Sequence, residues 1–202
     1  MEHYFTSDPS VKSEERNITY EINQKKFVFT SDNGVFSKNH VDFATDFLVR
    51  TVLPEIRGNV LDVGCGYGVI GIVAASHSNV DKVKMLDINH RALDLAKRNA
   101  IQNKVDAKVE IIESNGFEQI AETEKFDTII SNPPIRAGKS VIYGIYQEAS
   151  KHLKEEGHFY IVINKKHGAP STITYLQTIF KGVEVMDKKA GFHVIKCSQK
   201  DL

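Results

Sequence analysis

The chain has 202 residues, of which 41% are apolar and 26% charged; these values are typical of one globular domain and exclude a disordered protein. Lysine and arginine together number 26, as do aspartate and glutamate, so nucleic acid would be attracted only by a local basic patch. The two cysteines, Cys65 and Cys197, have no C-x-x-C neighbour, and neither a leader pattern nor a membrane-spanning run is found. We therefore expect a cytoplasmic protein that binds no metal and no membrane.

The chain begins with a polar stretch over residues 1–17. Residues 18–22 and 27–29 then alternate apolar and polar side chains around a turn at 23–26, which predicts a β-hairpin. We place this N-terminal extension at residues 1–38 and the main domain at residues 39–202. In the connecting turn, Phe36 and Ser37 are either an apolar plug with a helix cap or part of a loop that covers a cofactor.

Helices and strands alternate through the main domain. Helical spacing predicts helices over 41–52, 69–76, 89–101, 140–155 and 171–180, with Ile101 on the buried face of the third and Gly157 ending the fourth. Apolar runs predict strands over 58–63, 83–87, 109–112, 126–131, 158–163, 183–186 and 192–197. This order predicts an α/β, Rossmann-like, doubly wound fold: a mostly parallel seven-stranded sheet with an antiparallel edge strand, preceded by the hairpin.

A glycine turn follows the first strand of the main domain. Its glycines let the backbone turn sharply and approach a ligand, and the next helix directs free N–H groups at that ligand. Segment 66–71 has the dinucleotide pattern G-x-G-x-x-G, with Asp87 about twenty residues on. Segment 62–68 reads D-x-G-x-G-x-G, which resembles the first motif of Rossmann-like methyltransferases that use S-adenosylmethionine. A turn that binds no ligand is the third interpretation.

Polar side chains follow the predicted strands at the rim where ligands of such sheets bind. Asp87 either accepts hydrogen bonds from ribose hydroxyls or only begins the next turn. Asn115 stands where methyltransferases typically carry an acid that receives the adenine amino group, and its oxygen can accept the same bond. The predicted cofactor site comprises Phe36, Ser37, Asp62, Gly64, Cys65, Gly66, Gly68, Asp87, Ile88, Ser114, Asn115 and Asn132.

The strand over 126–131 is followed by Asn132, Pro133, Pro134 and Ile135, the predicted catalytic segment. Methylating an exocyclic amino group is difficult because its lone pair is delocalised, and acceptors on its N–H bonds help to localise that pair. The Asn132 side-chain oxygen and the Pro133 carbonyl can be these acceptors, and the two prolines restrict the backbone that aims them. The alternative is a proline-rich strand end without a catalytic role.

The glycine motif and residues 132–135 together resemble an amino-group methyltransferase. The longer string N-P-P-I-R-A-G-K at 132–139, with G-V-F-S at 34–37 and K-K-H-G at 165–168, resembles the small-subunit ribosomal RNA guanine-N2 methyltransferase family in a single-domain form. The resemblance extends over about residues 18–198. It implies S-adenosylmethionine as methyl donor and a guanine N2 amino group of ribosomal RNA as acceptor. Many Asn-Pro-Pro enzymes have an aromatic fourth residue; here it is Ile135, and Phe36 is a candidate substitute for base stacking.

Four cations on the same rim, Arg136, Lys139, Lys165 and Lys166, are predicted to contact RNA phosphates, although a solvated charged surface would look the same. The expected partner is ribosomal RNA or the small ribosomal subunit, and the expected state is a monomer. Two alternatives stay open. The acceptor could be a protein glutamine amide or an adenine amino group, or the chain could be a non-catalytic RNA-binding assembly module.

Overall fold

The computed structural model describes residues 11–201, so the first ten residues of the predicted N-terminal extension over 1–38 lie outside the described residues. The strands are β1 (Arg16–Ile22), β2 (Lys25–Ser31), β3 (Gly58–Val63), β4 (Val80–Asp87), β5 (Val109–Glu113), β6 (Phe126–Ser131), β7 (Leu153–Asn164), β8 (Gly182–Lys189) and β9 (Phe192–Ser198). The helices are α1 (Phe43–Val52), α2 (Val69–Ala75), α3 (His90–Gln102), α4 (Lys139–His152) and α5 (Ala169–Leu176).

Strands β3 to β9 form one sheet in the order β5-β4-β3-β6-β7-β9-β8. Five of them are parallel neighbours, whereas β9 runs antiparallel to both β7 and β8, so the last hairpin forms one edge. Strands such as β3 and β7 are apolar at consecutive positions because helices cover both of their faces. The predicted α/β fold, with its antiparallel edge and N-terminal hairpin, is confirmed.

Two clusters of buried apolar residues lie on opposite faces of the sheet. One joins the sheet to α1, α2, α3 and the hairpin β1–β2, and the other joins it to α4 and α5. The hairpin contributes Ile18, Tyr20 and Phe29 to the first cluster, so it packs on the body of the protein. The domain boundary at residue 38 stays a prediction.

Three predicted features differ from the structure. Helix α4 ends at His152, and Gly157 lies inside β7, where an added Cβ would be 2.9 Å from the Phe126 carbonyl oxygen. Glycine is thus needed there for a close approach to β6 rather than for a helix end. Helix α5 ends at Leu176, one turn earlier than predicted. Ile101 is 64% exposed because it shares a helix face with the exposed Lys97, four residues earlier.

Within residues 11–201, no helix is both long enough and apolar enough to cross a membrane. The same residues contain no cluster of three or more histidine, cysteine, aspartate or glutamate side chains that could hold a metal ion.

Candidate active site

The glycine turn joins β3 to α2 with an exposed backbone. Gly64 and Gly66 have φ angles of +76° and +56°, in the left-handed region that favours glycine. A Cβ added to either would meet no atom within 4 Å, so both backbones face open space. Gly68 differs, because its added Cβ would collide with Ile72 at 2.9 Å, so this glycine serves helix packing. The turn is shaped for the close approach of a ligand.

Asp62 lies beneath this turn and outside the cleft wall. One carboxylate oxygen accepts a hydrogen bond from the Gly71 N–H at 2.9 Å, which fixes the first turn of α2. The other oxygen is buried and has no hydrogen-bond partner among the described residues. Burial raises the pKa of Asp62 to about 7, and the nearby negative charge of Asp87 adds to this rise.

Asp87 connects the end of β4 to the glycine turn. Its carboxylate accepts hydrogen bonds from the Gly66 N–H at 2.7 Å and the Asn89 N–H at 2.9 Å. Asn89 caps α3 through its side-chain oxygen, which accepts from the Ala92 N–H at 3.1 Å. Burial raises the pKa of Asp87 despite these two donors. Asp87 lines the cleft, so its carboxylate is placed to accept from a bound hydroxyl.

The segment before α1 covers one side of the cleft. Phe36 and Ser37 both line it, which favours the covering role over a simple plug. The Tyr67 hydroxyl donates to the Ser37 carbonyl at 3.3 Å, and the Asn89 amide donates to the Gly34 carbonyl at 3.0 Å. The cover is therefore tied to the glycine turn and to the start of α3.

Asn132 lines the same cleft with a fixed amide. Its Nδ2 donates to the Thr45 hydroxyl of α1 at 3.0 Å, which leaves its side-chain oxygen for the cleft. Pro133 and Pro134 also line the cleft. Ile135 does not; it is half-buried against the core cluster beneath α4 and begins a short 3₁₀ turn.

The cleft has acidic and apolar walls. Its acidic residues are Asp42 and Asp87, and no lysine or arginine of the described chain lines it. It also includes Cys65, whose pKa burial raises well above the ordinary thiol value, so this thiol stays neutral. The lining comprises Phe36, Ser37, Asp42, Thr45, Gly64, Cys65, Gly66, Tyr67, Val69, Ile70, Asp87, Ile88, Asn89, Ala92, Asn132, Pro133 and Pro134.

A second cleft adjoins the first and shares Ile88 and Pro134 with it. Ser114 and Asn115 line this second cleft, beside Phe117. The Asn115 amide donates to the Glu118 carboxylate at 2.8 Å, so its oxygen stays available as an acceptor. The Ser114 hydroxyl is buried and bonds within the turn.

The four predicted RNA-contacting cations, Arg136, Lys139, Lys165 and Lys166, are exposed around this rim. Arg136 lies in the 3₁₀ turn after the prolines, and Lys139 begins α4. Lys165 and Lys166 lie in a 3₁₀ turn that directly follows β7. None of the four has an ion pair with a described acidic residue.

Sequence reasoning missed two polar residues at the start of α1, its N-cap Asp42 and Thr45 in its first turn. Asp42 caps this helix by accepting from the Ala44 N–H at 3.0 Å, and Thr45 holds Asn132. A threonine between Ala44 and Phe47, on the apolar face of a predicted helix, was the available signal. That signal marks a buried hydroxyl but does not identify its partner.

The arrangement fits a ligand that has hydroxyls and a positive charge. The open backbone at Gly64 and Gly66 leaves room for it, and Asp87 can accept from its hydroxyls. The two carboxylates of the lining, Asp42 and Asp87, favour a positively charged ligand over a pyrophosphate and so count against the dinucleotide interpretation. The second cleft offers Phe117 and the Asn115 oxygen for a planar amino-bearing group.

Comparison with known proteins gives related sequences over most of the chain. Residues 26–196 match the family described as the methyltransferase small domain. The uncharacterized protein YbxB of Bacillus subtilis is 44% identical over 199 residues, which are 98% of each chain. A protein named ribosomal RNA small subunit methyltransferase C, from Mannheimia succiniciproducens, is 38% identical over 165 residues. That match covers 80% of this chain but 47% of the relative, so the chain spans about half the length of this curated relative.

Among solved structures, the T. thermophilus 16S rRNA N2 G1207 methyltransferase, in complex with AdoMet and guanosine, has a TM-score of 0.82. The two chains are 24% identical, and the alignment covers 95% of this chain and 52% of the other. At this identity, the likeness shows a common fold.

Proposed function

The chain belongs to the methyltransferase small domain family, and from this premise we propose that it is an S-adenosylmethionine-dependent N-methyltransferase acting on a guanine N2 amino group of small-subunit ribosomal RNA. The observation that carries the proposal is the position of Asn132. Its fixed amide lies on the wall of the cleft that the glycine turn and Asp87 also line. The relatives named as ribosomal RNA small subunit methyltransferases support the choice of acceptor.

The residues of the two clefts fit the proposed methyl donor. Asp87 would accept from the ribose hydroxyls, and Gly64, Cys65 and Gly66 would line the amino-acid portion with backbone alone. The neighbouring cleft, with Ser114 and Asn115, would hold the adenine. When bound, S-adenosylmethionine supplies an electrophilic methyl group on a positively charged sulfur. The acidic, cation-free wall favours such a charge electrostatically.

The acceptor side follows from the hydrogen-bonding capacity of residues 132–134. The Asn132 oxygen and the Pro133 carbonyl would each accept from one N–H of the guanine amino group and hold it in line with the methyl group. Positioning supplies most of the rate in such a displacement, and no strong general base is needed before transfer. Ile135 packs on the core and Tyr67 is buried, so Phe36 is the exposed ring on the cleft wall that is available to contact the target base.

The test is methyl transfer from labelled S-adenosylmethionine to unmodified small-subunit ribosomal RNA and to small subunits, with the product nucleosides separated. We expect one labelled nucleoside, N2-methylguanosine. Asn132→Ala should abolish transfer and leave cofactor affinity nearly unchanged, whereas Asn79→Ala, the same chemical change in an exposed turn, should retain full activity.

Other outcomes identify a different function. Labelled methyl groups found in adenine or in a protein glutamine amide would mean that S-adenosylmethionine is the donor but that guanine N2 is not the acceptor. Full transfer by the Asn132→Ala variant would refute the proposed role of that amide. Cofactor binding without transfer to any acceptor would favour an RNA-binding assembly module, and no cofactor binding would refute the enzyme itself.

A further inference from the structure

The turn of the last hairpin lies next to the basic turn after β7. Because β9 runs antiparallel to β7, Phe192 at the start of β9 is opposite Asn164 at the end of β7. The Lys165 N–H donates to the Gly191 carbonyl at 2.7 Å, which joins the two turns directly. The hairpin turn therefore stands on the same rim of the sheet as Asn132.

This junction brings four lysines together. Lys188 and Lys189 end β8, opposite His193 and Phe192, so they lie on the same rim as Lys165 and Lys166, with β9 between the two pairs. All four are exposed. The pKa of His193 is lowered by burial and then by the positive charges of Lys188 and Lys165, which agrees with their closeness.

The four lysines lack ion-pair partners among the described residues. At the other end of the same strands, by contrast, Lys154 pairs with Asp127 and Lys200 pairs with Glu156. The acidic residue nearest in the chain, Asp187, accepts a hydrogen bond from the Lys188 N–H at 2.7 Å. The positive charge at this rim is thus left for a partner, although the whole chain is formally neutral.

An aromatic pair adjoins the lysines. The rings of Phe43 and Phe192 have centroids 5.5 Å apart, and Phe43 is 39% exposed. Lys189 is directly opposite Phe192, so the two side chains project from the same face of the sheet. Phe43 lies between Asp42 and Thr45 in the chain, and both of these line the cleft, so α1 connects the aromatic pair to the cleft wall.

We propose that Lys165, Lys166, Lys188, Lys189, Phe43 and Phe192, here called the basic-aromatic rim, bind single-stranded RNA beside the target nucleotide. The lysines contact phosphates, and a base that flanks the target stacks on the exposed ring of Phe43. Aromatic rings next to unpaired lysines are the combination that binds single-stranded nucleic acid without sequence preference. This inference rests on the proposed function and extends it to residues of β8, β9 and α1.

The test measures binding of a short fluorescein-labelled single-stranded RNA of mixed sequence over a range of salt concentrations. Each lysine–phosphate contact adds about 0.7 to the negative slope of log K against log salt, so Lys188→Gln with Lys189→Gln should reduce that slope by about 1.4. Phe43→Leu keeps the apolar volume and removes the ring; it should weaken binding roughly tenfold, within the range for one base stack.

The matched control is Lys25→Gln with Lys26→Gln, which removes the same charge from the start of β2 in the first hairpin. Lys25 lies far from the rim, against the Ser76 carbonyl at the end of α2. This variant should keep the wild-type slope and affinity. Cofactor affinity and melting temperature, measured for every variant, separate a lost RNA contact from a folding defect.

The outcomes distinguish this inference from the proposed function. Unchanged slope in the Lys188/Lys189 variant and unchanged affinity in Phe43→Leu, with wild-type methyl transfer to RNA intact, would overturn the inference alone. A wild-type protein that neither binds nor methylates RNA would overturn both.

Discussion

The orientation of the Asn132 amide depends on one hydroxyl from another element. Thr45 is 87 residues away in the chain, yet its Oγ1 accepts from the Asn132 Nδ2 at 3.0 Å. Without that acceptor, the amide could rotate and present its nitrogen to the substrate. A donor there would repel the N–H groups that the oxygen is proposed to hold.

Thr45→Val replaces the hydroxyl by a methyl group of similar size. We expect kcat for methyl transfer to fall about tenfold, corresponding to ~1.4 kcal/mol, with cofactor affinity unchanged. Thr45→Ser keeps the hydroxyl and should retain most of the activity. Steady-state kinetics of the three proteins decides the matter, and a wild-type rate in the valine variant would show that Thr45 does not position Asn132.

Asp62 makes the stability of the ligand-free protein depend on pH. Burial raises its pKa from an ordinary value of 3.8 to about 7. Between about pH 4 and 7, the folded protein keeps a proton that the unfolded chain releases, so this carboxyl reduces stability as pH rises. Above pH 7 both states are ionised and the loss is complete.

Asp62→Asn removes this titration and keeps an oxygen for the Gly71 N–H. The stability of the variant relative to wild type should increase between about pH 4 and 7, by about 4 kcal/mol, and then level off. Urea unfolding at several pH values measures the difference. A constant difference across this range would show that Asp62 is ionised throughout.

At the scale of elements, two asparagines attach the hairpin to α3. The Asn99 side chain accepts from the Thr30 N–H at 2.7 Å and donates to the Thr30 carbonyl at 2.9 Å, as a neighbouring strand would do. Asn103, one turn later, makes the same two bonds with Val28. Asn99 and Asn103 thereby provide hydrogen-bond partners for backbone groups on the edge of β2 that no other described strand pairs with.

Asn99 also donates to the Tyr67 carbonyl at 2.8 Å, so it connects the hairpin with the glycine turn. Asn99→Ala should cost about 3 kcal/mol of stability, because buried backbone groups lose their partners, and should also weaken cofactor binding. Asn103→Ala is the control: it loses the Val28 bonds and leaves Tyr67 in place. Denaturant unfolding and cofactor titration of both variants test this, and equal cofactor affinity in the two would contradict the connection.

The turn of the first hairpin contains a strained residue whose replacement should stabilise the protein. Asn23 and Gln24 have φ angles of +49° and +62°, a pair typical of a type I′ turn. Glutamine is strained at the second position, where glycine is favoured. Gln24→Gly should therefore raise the free energy of unfolding by about 0.5–1 kcal/mol. In urea unfolding, the midpoint should move to a higher urea concentration while the dependence of the free energy on urea stays unchanged. A lower midpoint would mean that the extra freedom of the unfolded chain outweighs the relieved strain.

At the scale of the whole molecule, hairpin, cover and sheet share one core. The buried cluster that contains Phe29 and Val35 also contains Val60 and Ile72. The hairpin, the segment that covers the cleft and the strand and helix around the glycine turn are therefore stabilised by the same packed residues. We expect one cooperative unfolding transition, reported alike by all probes.

S-adenosylmethionine should raise the stability of this single unit. At a concentration of 100 times Kd the increase is about 2.7 kcal/mol, because the ligand binds only the folded state. Asp87→Ala should lose most of this shift, and Asn132→Ala should keep it. Differential scanning calorimetry with and without ligand is the measurement; an unshifted wild-type transition would refute cofactor binding.

The sequence by itself determined the alternation of strands and helices, the glycine turn and the rim that carries Asp87, Asn115 and Asn132. These features depend on residues that are close together in the chain. They include the apolar periodicity, the backbone conformations that glycine and proline permit, and the polar residues that directly follow each strand. The family resemblance rested on the same short strings.

Only the tertiary structure decided how distant segments meet. The Thr45–Asn132 bond, the contact of Phe43 with Phe192, and the place of Gly157 inside β7 all join residues far apart in the chain. Asp62 is the acidic residue of the D-x-G-x-G-x-G motif, yet the fold buries it beneath the glycine turn, and Asp87 lines the cleft instead. Such outcomes depend on the packing of whole elements, which local periodicity does not encode.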